Sequence, residues 1–206
     1  MSLDAESRSG QPKSTLRLEM RRHLSGLDSV TRAMASAAIA ERLTNSKEWS
    51  TARAVAAFVG MGLEVDTLPI IECAQRQGKR LLLPRCLSST TLEFAEYPQS
   101  DVLENGRFGI PEPMAFRPAE SLRGIDLVLV PGLAFDCFGG RLGKGAGYYD
   151  RALAPLDKQA RPALLGLGFA LQITKRVPMT TLDVYLDAVV TESAWIKTKT
   201  FPTREH

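Results

Sequence analysis

The sequence predicts an α/β fold with a mostly parallel sheet, on three observations. Five short runs, Ala54 to Val59, Arg80 to Leu83, Asp126 to Val130, Leu164 to Leu167 and Ala188 to Thr191, are apolar without strict alternation. Strands of that pattern are buried on both faces, the condition of parallel strands covered by helices. Stretches of helical spacing separate several of these runs, as in βαβ units. A glycine-rich segment follows the most continuous run, at the carboxyl end of its strand, where sheets of this kind bind ligands.

Leu16, Met20 and Leu24 form a stripe after Pro12, predicting a first helix that ends at Ser25-Gly26. Asp28 is a suitable N-cap for a second helix, with Val30, Met34, Ala38 and Leu43 expected on its inner side. The run Ala54 to Val59, a helix over Asp66 to Gln77 closed by Gly78, and the run Arg80 to Leu83 make one βαβ unit. Leu92 to Ala95 alternates weakly and is read as an edge strand. Arg107 to Pro113 is rich in proline and glycine and is read as a loop without regular structure. Asp126-Leu127-Val128-Leu129-Val130, stopped by Pro131-Gly132, has the pattern of a central strand, and a helix is expected from about Gly147 to Leu156. The stretches 1–11 and 197–206 are read as flexible ends. A chain of 206 residues, 44% of them hydrophobic, suffices for one substantial core, so a single domain over 1–206 is expected.

Composition excludes several classes of function. The 26 basic and 23 acidic residues are interspersed and leave a formal charge of +3, which gives no broad basic surface for nucleic acid or membrane. Cys73, Cys86 and Cys137 are odd in number and lack C-x-x-C spacing, as suits reduced thiols in the cytoplasm rather than a disulfide frame or zinc site. With only His23 and His206, histidine-based triads and metal centres are disfavoured. No apolar stretch has the length of a membrane span or the form of a signal peptide. The chain is expected to act as a monomer.

The chemistry is expected between Pro131 and Arg151. Five glycines lie from Gly139 to Gly147, between the central strand and the following helix. Such glycines let backbone N–H groups converge on an anion, and Arg141 and Lys144 add full charges. The segment matches neither the P-loop, because Phe138 and Gly145 stand where glycine and a hydroxyl belong, nor the Rossmann fingerprint. A plain connecting loop is the alternative. Asp150 either complements the helix dipole or holds magnesium beside phosphate oxygens. Asp183 is a loop acid or a second ligand. Lys13, Arg17 and Arg21 form a basic stripe on the first helix, either a solvated face or a lid over phosphates. Glu64 follows the first strand, and Phe58, Met61 and Tyr97 are candidates for an apolar pocket wall.

Five motifs in order add a resemblance: Lys13-x-x-x-Arg17; Glu64-Val65-Asp66-Thr67; Gly109-Ile110-Pro111-Glu112-Pro113; Val130 to Asp136 joined to Arg141-Leu142-Gly143-x-Gly145-x-Gly147-Tyr148-Tyr149-Asp150; and Asp183-x-x-x-Asp187-x-Val189-Val190-Thr191-Glu192. From about Lys13 to Thr191 the chain resembles the 5-formyltetrahydrofolate cyclo-ligases, also called 5,10-methenyltetrahydrofolate synthetases. The resemblance implies a Rossmann-like three-layer αβα sandwich with two N-terminal helices. It implies a ligase of one-carbon metabolism that uses ATP and Mg2+ to close reduced folate, 5-formyltetrahydrofolate, to the 5,10-methenyl form. By the family's route the formyl oxygen is phosphorylated, N10 attacks the formyl carbon, and phosphate leaves.

The family pattern makes Lys13, Arg17, Arg141, Leu142, Gly143, Lys144, Gly145, Ala146, Gly147, Tyr148 and Tyr149 the nucleotide contacts. Val59, Glu64, Glu112 and the turn Lys144 to Tyr148 face folate, and Asp150 and Asp183 face magnesium. Arg141 and Lys144 are assigned the charge that develops at the transferring phosphoryl group. Leu182, Tyr185 and Ala146 depart from the residues common in the family. Two other readings stay open: a phosphate-ligand enzyme of like architecture, such as a sugar-phosphate isomerase or CoA transferase, and a non-catalytic nucleotide- or RNA-binding module. Dependence on ATP and magnesium separates the first, and the lack of an aromatic-basic platform weighs against the second.

Overall fold

The structure, a computed structural model, describes residues 12–88, 91–98, 103–105, 111–113, 122, 124–156 and 162–199. The elements are α1 Lys13–Ser25, α2 Ser29–Thr44, α3 Lys47–Thr51, β1 Ala54–Ala56, α4 Leu68–Arg76, β2 Arg80–Cys86, β3 Leu92–Glu96, β4 Leu103–Asn105, β5 Pro111–Pro113, β6 Leu127–Pro131, β7 Ala134–Phe135, β8 Arg141–Leu142, α5 Tyr148–Leu153, β9 Ala163–Leu167, β10 Ala188–Val190 and β11 Trp195–Lys197. A 3-10 turn spans Ala170–Gln172. Seven strands form one sheet in the order β11-β10-β9-β6-β1-β2-β3, with β6 in the middle. Pairing is parallel from β10 through β2, and the edge strands β11 and β3 run antiparallel. The α/β sandwich expected from the apolar runs is therefore present.

The central strands owe their place to burial. Leu127, Val128, Leu129 and Val130 are all essentially inaccessible, and burying each such side chain contributes about 1.5–3 kcal/mol. The carboxylate of Asp126 accepts the backbone N–H groups of Arg53 at 2.7 Å and Ala54 at 2.9 Å, locking the start of β1 to β6. Asp187 does the same for β9 by accepting Leu164 N–H at 2.8 Å. The Phe135 ring fills a slot cleared by glycine: a Cβ at Gly132, Gly166 or Gly168 would stand 2.7, 2.7 or 2.5 Å from it. Helix α1 buries Leu16, Met20 and Leu24 as the stripe predicts, and Asp28 caps α2 through Thr31 N–H.

Several expectations are corrected. Val30 and Met34 are exposed, and α2 instead buries Ser36, Ile39, Ala40 and Leu43. Burial in α2 begins only at Ser36, so its first half packs no apolar stripe against the core. Pro111–Pro113, read as irregular, is a strand paired antiparallel with β4. A two-stranded ribbon tolerates this because Glu112 alone in β5 carries an N–H, and the prolines have none to lose. The rest of that segment, 107–110, lies outside the described residues. Residue 197 is not in a flexible end, since it belongs to β11, and Thr198 and Lys199 donate backbone N–H groups to Asp187 and Cys137 carbonyls. The stretches 1–11 and 200–206 lie outside the described residues. Helix α5 is only six residues long, so it adds little of the dipole expected at its start.

Candidate active site

A cavity of about 520 Å3 opens at the carboxyl ends of β1, β2 and β6. The loop after β1 gives Phe58, Val59, Met61 and Glu64; the end of β2 gives Pro84 and Cys86; β6 and its turn give Pro131 and Gly132. Arg141 and the stretch from Gly143 to Asp150 form the facing wall, through Gly143, Lys144, Ala146, Gly147, Tyr148, Tyr149 and Asp150. Tyr97 takes no part. It follows β3, which runs antiparallel, so it sits at the opposite edge of the sheet, while Leu92 at the start of β3 reaches the cavity.

The β1 loop is tightly held. Thr67, fully buried, donates its hydroxyl to Phe58 O and accepts Gly60 N–H at 3.0 Å. A Cβ at Gly60 would meet Val65 O at 1.8 Å, so only glycine permits this path. The loop presents Glu64, whose Oε2 accepts Met61 N–H at 3.1 Å and whose Oε1 pairs with Lys144 Nζ at 2.7 Å.

The glycine-rich segment divides in two. From Gly139 to Gly140 it is the turn of the β7–β8 hairpin, interposed between central strand and helix. The Asp136 carboxylate, 1% exposed, accepts N–H groups from Phe138, Gly140 and Val177 at 2.8, 2.9 and 2.8 Å. Those two glycines are therefore scaffold, which narrows the expected cradle to Gly143, Gly145 and Gly147. Gly145 and Gly147 have φ of 122° and 66°, where other residues are strained.

Each cation here meets an acid or a carbonyl. The Arg141 side chain is only 4% exposed, donates to Asp150 Oδ1 at 2.8 Å and to Pro131 O at 3.3 Å, and stacks over the Tyr149 ring. Asp150 Oδ1 also accepts Val184 N–H at 3.2 Å, bringing the Asp183 segment to this corner. Lys13 Nζ lies 2.5 Å from Asp183 Oδ2, and Arg17 Nε donates to Gly143 O at 2.9 Å. Lys13 and Arg17 thus reach from α1 to the Asp183 segment and the glycine-rich turn, although neither lines the cavity. Burial raises the Asp183 carboxyl, but the hydrogen bonds from Lys13 and Thr180 outweigh it and hold the group below the ordinary carboxylate value. Burial, aided by the Glu64 charge, pushes the Tyr149 phenol well above its ordinary value, and its hydroxyl is buried without a hydrogen-bond partner among the described residues.

Not every expected contact faces the cavity. Leu142 is fully buried and its carbonyl accepts Leu133 N–H. Glu112 is buried behind the wall, accepting Cys86 N–H at 3.1 Å and lying 3.5 Å from Arg85 Nε. Asp187 and Glu192 of the last motif serve the scaffold: Glu192 accepts Ala170 N–H at 2.9 Å. Sequence reasoning missed Pro84, Cys86 and Leu92, which end or begin strands at the ligand-binding edge, and Gln172, buried, whose amide donates to Gly132 O and Leu133 O and holds that turn. For the first three the signal was position near a strand end; Gln172, on a 3-10 turn, carried none.

The model of the 5-formyltetrahydrofolate cyclo-ligase family matches residues 9–192. This chain belongs to that family. The cyclo-ligase of Escherichia coli K12 is 38% identical over 147 residues, covering 69% of this chain and 79% of that one. The mouse cyclo-ligase is 29% identical over 191 residues, covering 88% and 94%. The solution structure of Aquifex aeolicus 5,10-methenyltetrahydrofolate synthetase superposes with a TM-score of 0.80 at 28% identity, covering 94% and 96%. The cyclo-ligase family motifs thus sort by geometry into those at the cavity and those that brace the sheet. Among the described residues, no helix is long and apolar enough to cross a membrane.

Proposed function

We propose that this chain closes 5-formyltetrahydrofolate to 5,10-methenyltetrahydrofolate, converting ATP to ADP and phosphate. The observation that carries this reading is one cavity with two unlike walls. Phe58, Val59, Met61, Pro84 and Leu92 supply an apolar side suited to the flat reduced pterin, and Arg141 and Lys144 with Gly143, Ala146 and Gly147 supply a cationic side suited to phosphates. An amide-like formyl group is a poor electrophile, and transfer of the terminal phosphoryl group to its oxygen makes that oxygen a leaving group. N10 then attacks the formyl carbon and gives up its proton, phosphate departs with the former formyl oxygen, and the C–N double bond of the methenyl bridge forms. Arg141 neutralises charge developing on the phosphoryl oxygens, with its guanidinium oriented by Asp150 and Pro131 O. Lys13, Arg17 and Lys144 hold the polyphosphate, and Gly143, Gly145 and Gly147 let backbone approach it.

The acids fit magnesium. No cluster of three or more metal-binding side chains occurs among the described residues, which disfavours an ion caged by protein alone. Mg2+ takes one or two carboxylates with water and phosphate oxygens, and Asp150 and Asp183 supply hard oxygen donors at one corner. When bound, Mg2+ would neutralise charge on the terminal phosphates. The reading is tested by mixing purified protein with 5-formyltetrahydrofolate, ATP and MgCl2 and following methenyl absorbance together with ADP. Equal amounts of both products are expected, with neither formed when ATP or Mg2+ is omitted. Methenyl product formed without ATP, or no product at all, would defeat it.

A further inference from the structure

The ion pair between Lys144 and Glu64 joins the two walls of the cavity. Lys144 stands on the glycine-rich turn and Glu64 on the loop after β1, and their charged atoms meet at 2.7 Å with both residues lining the space between. The two partners differ in exposure: the Lys144 side chain is 55% exposed and that of Glu64 12%. A half-exposed ammonium leaves a partner at small cost. A largely covered carboxylate that loses a partner retains only what other donors supply. Here that is Met61 N–H on Oε2, while Oε1 loses its contact.

We propose that this pair is an interlock between the two substrates, in which Lys144 leaves Glu64 for a nucleotide phosphate oxygen and the freed carboxylate accepts N–H groups of the reduced folate ring. The inference rests on the proposed function. Nucleotide binding alone strips a donor from a largely covered acid, and folate binding alone must compete with Lys144 for that acid. With both bound, each charge has a partner, so each substrate tightens the other. Arg141 is unsuited to this role because its pairing with Asp150 is buried and keeps to the glycine-rich side.

Isothermal titration tests the interlock without turnover. The Kd of a non-hydrolysable ATP analogue with Mg2+ is measured with and without saturating 5-formyltetrahydrofolate, for the natural protein and for Lys144→Met and Glu64→Gln. In the natural protein, folate is expected to tighten the analogue about 5- to 20-fold, and the analogue to tighten folate by the same factor. Lys144→Met is expected to bring that factor close to one while binding folate alone at least as tightly as the natural protein. Glu64→Gln, which weakens the pair and keeps the side chain's size, is expected to lower the factor as well. An undiminished factor in Lys144→Met, or weaker folate binding by that variant alone, overturns the interlock and leaves the proposed function standing. Failure of the natural protein to bind either ligand overturns both.

Discussion

Between Asp136 and Gly140 the glycine-rich segment is closed upon a buried carboxylate, whereas from Gly143 to Gly147 it opens to the cavity. The first part satisfies its own N–H groups: Asp136 takes those of Phe138 and Gly140 and reaches across to Val177. The second part is held from outside, by Arg17 on Gly143 O and Arg151 on Ala146 O at 2.7 Å. Glycine serves compactness in one and access in the other. In the first, a Cβ at Gly140 would come within 2.5 Å of the Asp136 carboxylate; in the second, a Cβ at Gly145 would meet nothing closer than Arg17 at 3.8 Å. A run of glycines is therefore no measure of the size of an anion site.

The largest expected effect breaks the closed part. Asp136→Ala strands three N–H donors and should cost on the order of 3–5 kcal/mol in urea unfolding, with activity falling only as the folded fraction falls. A loss below about 1 kcal/mol would mean that the turn holds without its carboxylate. Arg141, at the boundary, and Lys144, in the open part, make the next contrast. Arg141→Ala should lower turnover about 100- to 1000-fold and also destabilise the fold, because the pair it breaks is buried. Lys144→Ala should lower turnover about tenfold and cost about 1 kcal/mol of stability, the loss of a half-exposed partner of Glu64 and less than the loss in Arg141→Ala. Equal stability losses in the two would erase the distinction between boundary and open part.

The smallest effect concerns the outside support. Asp183 has a folded value below its unfolded 3.8, so its contribution to stability is complete above that value and is lost as pH falls through the depressed one. Thermal melts should therefore separate natural protein from Asp183→Asn by a few degrees at neutral pH, with the gap narrowing as pH is lowered below 3.8. A gap that widens in acid would reverse the assigned direction.

The parallel strands were legible because full burial on both faces writes itself as unbroken aliphatic sequence, as in Leu127 to Val130. The β7–β8 hairpin, the β4–β5 ribbon and β11 were not, since strands of two or three residues carry no period to read. Tyr97 was assigned to the wrong edge because direction within a sheet is a tertiary fact. At the site, residue types identified Arg141, Lys144 and Asp150 as chemically capable, but composition could not say that Arg141 and Asp150 would bind each other or that Lys144 would find Glu64. Glu112 shows the converse: it belongs to a family motif, yet its carboxylate is spent on Cys86 N–H behind the wall.

The contact between Lys13 and Asp183 spans 170 positions. During translation α1 is therefore made long before Asp183, and the pair that ties this helix to the Asp183 segment can close only after the sheet strands β1 to β9 have been synthesised.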